Sequence, residues 1–146
     1  MASLWLSVIV HAPQEQVYEY VTAFGPQGYT DESAFRDKHG VPLEQEGNTI
    51  VTRDGDGEDA ITWRCTFDPP ARRHMKAVDS SWADRTDIFQ EAGSGTRWTV
   101  LFVTGRNGPV GFVQWLFFHL VTKSRISLAM MEPVVRHFRD SPPPVA

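Results

Sequence analysis

The chain contains one cysteine, Cys65, among 146 residues. That excludes an intramolecular disulfide and a cysteine-based zinc site, and it fits a reducing, cytoplasmic setting. Long apolar runs are also lacking. The longest, Val110 to Val121, is broken by Gln114 and His119 and falls short of the ~20 residues a membrane-crossing helix needs, so no transmembrane segment is expected. Met1 to Val10 is apolar but has neither a basic leader nor a clear cleavage site, so it reads as a strand and not as a signal peptide. There is no surplus of positive charge: 14 Lys and Arg stand against 18 Asp and Glu, well mixed, which argues against a nucleic-acid partner. The five histidines (His11, His39, His74, His119, His137) show no ligand spacing, so no metal site is expected. A glycine-rich phosphate loop, a nucleophile elbow and a nucleotide fingerprint are all missing, and no cofactor is expected.

What is present is the length of one domain, residues 1–140, with Ser141-Pro142-Pro143-Pro144 opening a disordered tail. Leu4 to Val10 alternates as a strand. Pro13 suits the first turn of a helix whose buried face would be Val17, Tyr20, Val21 and Phe24, ended by Gly25-Pro26-Gln27-Gly28. Thr30 is placed to cap a second short helix, anchored by Phe35 and left at Gly40. Strands are then expected at Val41–Gln45, Thr49–Arg53, Ala60–Phe67, Arg72–Val78, Trp82–Gln90 and Thr96–Thr104, separated by turn sequences. Short consecutive strands favour an antiparallel sheet.

Pro109 to Arg139 reads as one long helix. At about 100° per residue, Gln114, Arg125, Glu132, Arg136 and Arg139 form one stripe. Phe112, Leu116, Leu120, Met130 and Val134 lie opposite, together with His119, Lys123 and Ser127. Polar groups in an apolar inner wall suit a small-molecule pocket. Pro133 should interrupt this helix near Ala129.

Two motifs carry a resemblance. Val8-Ile9-Val10-His11-Ala12-Pro13-Gln14, continuing to Gln16-Val17-Tyr18-Glu19-Tyr20-Val21, and Gly93-Ser94-Gly95-Thr96-Arg97-Trp98-Thr99-Val100 resemble the opening and one hairpin of the START-like superfamily, also called SRPBCC. That superfamily includes polyketide cyclases, lipid-transfer domains and plant allergen-like binders. The resemblance covers roughly residues 4 to 139. It implies a helix-grip α+β fold: two short helices after the first strand, and a curved antiparallel sheet of six or seven strands wrapped around the last helix. Fold alone does not imply activity.

Candidate residues follow, each with two readings. Lys123 could hold an anion or act as acid or base, or its head could reach water. His119 could contact ligand or be a hydrogen-bonded core histidine. Asp84 shares a strand phase with Trp82, Thr86 and Ile88, and is a candidate base if Arg85 and Asp87 point outward. Arg73 could meet a carboxylate at a cavity rim, though solvation at the surface is the simpler expectation. Trp63, Phe67, Trp82, Trp98, Phe102 and Leu116 are expected to line the cavity or core, with the Trp98 phase inward because Arg97 prefers water. Tyr29 and Phe35 are either gate residues or pins for the short helices. Cys65 has no activating neighbour and reads as inert core.

The leading functional reading is a binder or carrier of a small hydrophobic or aromatic molecule, lipid or polyketide-like. An aromatase, cyclase or dehydratase is the enzyme alternative, drawing on Asp84, His119, Lys123 and Arg73. The third is an interaction module or homodimer using Phe118, Val121 and Leu128 of the last helix.

Overall fold

A computed structural model describes residues 2–78, 84–104 and 127–140. Its elements are β1 (Ala2–Val10), α1 (Gln14–Thr22), β2 (Phe24–Gly25), β3 (Gly28–Tyr29), α2 (Glu32–His39), β4 (Val41–Glu46), β5 (Thr49–Asp54), β6 (Ile61–Asp68), β7 (Arg72–Ala77), β8 (Asp84–Ala92), β9 (Gly95–Thr104) and α3 (Glu132–Asp140). Seven strands form one antiparallel sheet in the order β1-β9-β8-β7-β6-β5-β4. Strands β4 to β9 follow one another as a meander, and β1 returns alongside β9. This is the expected α+β helix-grip arrangement, with a seven-stranded sheet and a helix closing the chain.

Strand alternation sorts the sheet into two faces. Leu6, Val100, Asp87, Arg73 and Phe67 are successive cross-strand partners and all are buried, so they share the inner face. The Trp98 phase is inward as expected: Trp98 and Val100 are buried and Arg97 is exposed. Two apolar clusters form on this face. One joins Leu6, Val10, Val17, Tyr18, Phe89, Trp98, Met131, Val134 and Phe138. The other joins Phe24, Phe35, Ile50, Cys65, Phe67 and Met75.

The local chemistry explains the element ends, with three corrections. Helix α1 buries Val17, Tyr18, Val21 and Thr22, not Tyr20 and Phe24. Ala23 takes a left-handed conformation (φ 54°) that stops the helix, and Phe24 leaves into the β2–β3 hairpin. Tyr20 instead stays exposed and stacks on His137, with ring centres 4.1 Å apart. Helix α2 is capped by Asp31 rather than Thr30: its carboxylate accepts the Ala34 amide at 3.1 Å. Gly40 ends α2 at φ 98°, where any side chain would collide with the Arg53 carbonyl.

Of the expected helix Pro109–Arg139, residues 105–126 lie outside the described residues. The rest is interrupted as expected. Pro133 has no N–H to offer the Ala129 carbonyl, and a π-helical turn, Ser127–Met131, precedes α3. Val134 and Phe138 then face the core, while Arg136 and Arg139 are exposed.

Candidate functional site

The inner face carries a charged group where the two apolar clusters meet. Arg73 on β7 and Asp87 on β8 are direct cross-strand partners and are 3 % and 0 % exposed. Arg73 Nη2 lies 3.1 Å from Asp87 Oδ2. Arg85, two residues before Asp87 on the same strand face, grips the same carboxylate with both arms of its fork: Nε to Oδ1 at 2.8 Å and Nη2 to Oδ2 at 2.9 Å. The indole Nε1 of Trp98 donates to Oδ2 at 2.9 Å. Burial alone would raise the Asp87 pKa, but the Arg73 and Arg85 charges overrule it and hold the carboxyl below the usual range.

His39 at the end of α2 completes the group. Its Nδ1–H donates to the Phe35 carbonyl (3.0 Å), so Nε2 accepts from Arg73 Nη1 (3.0 Å). Burial, reinforced by the Arg73 charge, drops its pKa to about 3, so the ring is neutral. Arg73 Nη1 also reaches the Val21 carbonyl at 3.5 Å, while Nε finds no partner among the described residues. The Arg73 pKa is lowered by burial, with Asp87 acting against it. A guanidinium nonetheless stays charged.

Along the strands, the two ends of this face differ. At one end α1, α2 and α3 cover it, and Trp98, Phe89, Phe67 and Phe35 are all nearly inaccessible. Phe35 packs among Tyr29 (4.6 Å between ring centres), His39 (4.3 Å) and Phe67 (5.7 Å). At the other end, coverage is partial. Trp63 on β6 and Phe102 on β9 are half-buried. Arg85 keeps 19 % of its side chain accessible and lies over the Phe102 ring at 5.7 Å. Met75 sits between Cys65 and Arg85 in the cross-strand register, and the small side chain of Ala77 faces Trp63.

The sequence-predicted residues divide accordingly. Arg73 is not at the surface. It is buried, and the carboxylate it meets is the protein's own Asp87. Asp84 does not face inward, because β8 runs in the opposite phase: Arg85, Asp87 and Phe89 point to the core, while Asp84 pairs with His74 on the other face. Arg73 and Asp84 therefore lie on opposite sides of the sheet. Trp98 and Phe67 fill the covered end; Trp63 and Phe102 stand at the half-covered one. Phe35 and Tyr29 pack α2 and the hairpin onto the sheet. Cys65 is buried, and burial pushes its thiol up to about 11, which leaves it unreactive. Trp82, Leu116, His119 and Lys123 lie outside the described residues, as does the side chain of Leu128 with Phe118 and Val121.

Asp87, Arg85 and His39 were missed. Strand β8 reads as more apolar in the Ile88 phase than in the Asp87 phase, so alternation pointed the wrong way. The usable signal was an opposite-charge pair, Arg73 and Asp87, on consecutive strands.

A depression of about 270 Å³ beside the hairpin is lined by Glu19, Gly25, Pro26, Gln27, Gly28, Tyr29 and Thr30. It opens to solvent. Among the described residues, no group of histidine, cysteine and carboxylates could hold a metal ion, and no helix is long and apolar enough to cross a membrane.

No protein-family model matches the chain, and no curated protein matches it by sequence. Solved structures do match in fold. A Thermobifida fusca protein solved in solution is similar with TM-score 0.64 at 14 % identity, covering 95 % of each chain. The Aha1 dimer of Colwellia psychrerythraea is similar with TM-score 0.57 at 15 % identity, covering 92 % of this chain and 96 % of that one. DynU16, from the dynemicin biosynthetic locus, is similar with TM-score 0.55 at 16 % identity, covering 97 % of this chain and 48 % of that one. At such identities the likeness defines the fold alone, the helix-grip arrangement described above.

Proposed function

We propose that this protein binds or carries a small hydrophobic molecule between the sheet and its C-terminal helical segment. The observation that carries this reading is the half-covered end of the inner face. There Trp63 and Phe102 keep half-buried aromatic surface and Arg85 lies over the Phe102 ring, in a sheet whose other end is filled by its own side chains. An apolar wall with one fixed polar group suits a small-molecule site. A cyclase-like enzyme, a reading that the biosynthetic locus of DynU16 brings to mind, would need two of Asp84, Arg73, His119 and Lys123 to converge. Arg73 and Asp84 do not. Native mass spectrometry of protein purified from its own host tests the proposal. A stoichiometric hydrophobic passenger is expected. An empty protein whose melting temperature is unmoved by a lipid and polyphenol panel would overturn it.

A homodimer is the second reading, favoured by β1. This edge strand contains no charged residue, and Trp5 and Ile9 are 63 % and 39 % exposed on it, whereas edge strands are usually protected by charge. Sedimentation of wild type and Trp5→Lys would separate a dimer that the substitution dissolves from a monomer that it leaves unchanged.

A further inference from the structure

The charges on the inner face do not balance. Arg73 and Arg85 share one carboxylate, Asp87, and the fourth member of the group, His39, is neutral by its hydrogen bonds. The group therefore holds one positive charge in excess, under low-dielectric cover, where an uncompensated charge is costly. The donors also outnumber the acceptors: Arg73 Nε is buried with no partner among the described residues. Arg85 uses Nε and Nη2 on Asp87, and among the described residues nothing is bonded to its Nη1.

Among the described residues, Asp87 is the carboxylate that pairs with Arg73 and Arg85. From Ala92 to Met131 the sequence contains no Asp or Glu, but it does contain Arg97, Arg106, Lys123 and Arg125. That stretch of sequence thus brings cations only, and the first acid after it is Glu132.

We infer that the ligand is an amphipathic anion: an aromatic or aliphatic body against Trp63 and Phe102, with an acidic group on the accessible edge of Arg85. Asp87 and Arg73 then act as positioning residues. The bidentate grip of Asp87 fixes the Arg85 fork in one plane, so little side-chain freedom is lost when an anion docks. Stacking over Phe102 limits the guanidinium from the other side. This inference rests on the binding reading above and narrows it to one ligand chemistry.

A matched pair of probes tests it: 2-naphthoate and the neutral 2-naphthalenemethanol, titrated into the full-length protein by calorimetry. The expected result is that 2-naphthoate binds at least about tenfold tighter, as one charge-assisted hydrogen-bond pair predicts. Arg85→Gln should erase that preference, weakening the acid at least about tenfold more than the alcohol. Arg85→Lys, which retains charge but not the fork, should retain only part of it. Equal affinity of the wild-type protein for acid and alcohol would overturn the anion inference and leave the cavity reading standing. Failure of both probes to bind would remove the cavity reading as well. Because the wild-type comparison needs no variant, misfolding of Arg85→Gln would not rescue the proposal.

Discussion

The two ends of the inner face are built from the same strands and nearly the same residue types, yet they do different things. At the covered end, aromatic rings contact other aromatic rings: Phe24 stacks on Phe67 at 4.3 Å, and Tyr18 meets Phe89 edge-on at 5.0 Å. At the half-covered end, Trp63 and Phe102 retain accessible surface, and the Arg85 guanidinium lies over Phe102. The difference lies in which helices fall over which rows. Ala23 and the hairpin steer α2 so that Phe35 and His39 land over Phe67, and at the end of α2 the His39 carbonyl accepts from Thr52, the cross-strand partner of Trp63, at 2.7 Å, while the Trp63 ring stays half-buried. On the proposed reading, the covered end supplies stability and the half-covered end supplies binding, with the charge group at the border between them.

Substitutions on either side should break the comparison in opposite ways. Asp87→Asn leaves Arg73 and Arg85 uncompensated under cover and should cost about 3–5 kcal/mol in chemical denaturation. Phe35→Ala opens a cavity in the covered end and should cost a similar amount, about 3–5 kcal/mol, with little effect on probe affinity per folded molecule. Trp63→Leu and Phe102→Leu should cost roughly 1 kcal/mol of stability but weaken naphthalene binding markedly by titration. Asp84→Asn should change stability by no more than about 1 kcal/mol, since its pair with His74 is partly solvated, and should leave binding untouched. A large binding defect in Asp84→Asn would contradict its placement on the outer face.

The charge group also predicts a pH dependence. The folded pKa of His39 lies at about 3, below its ordinary value of about 6.5. The unfolded chain therefore binds the proton first as pH falls, and stability drops between these values by up to about 1.4 kcal/mol per pH unit. Asp87 adds to the loss lower down, because its depressed pKa contributes stability above the unfolded carboxylate range that is lost as pH falls through it. His39→Gln should flatten the upper part of this slope in denaturation curves taken from pH 7 to pH 4. An unchanged slope would mean that His39 is not the group responsible.

Much of the architecture was legible in the sequence because turns and alternation are local. The meander from β4 to β9, the inward phase of Trp98 and the break before Pro133 all follow from short-range rules. The site was less legible because it depends on phase and on distant partners. The stretch read as a strand, Trp82–Gln90, has Trp82, Asp84, Thr86 and Ile88 in one phase and Arg85, Asp87 and Phe89 in the other. Hydropathy favours the first, but Arg73 on the neighbouring strand selects the second by pairing with Asp87. Local pattern also cannot show that a helix ends at Thr22, two residues before Phe24, which moved that ring from α1 to the hairpin and left Tyr20 outside.

The central claim is that ligand occupies the half-covered end of the face. Peptide-resolved hydrogen–deuterium exchange, with and without the tighter binder of the naphthalene pair, tests it most directly. Added protection is predicted in Ile61–Arg64 and Thr99–Val103, with no change in the hairpin and α2, residues 24–39. Protection confined to the hairpin and α2, or absent throughout while binding is saturated, would contradict it.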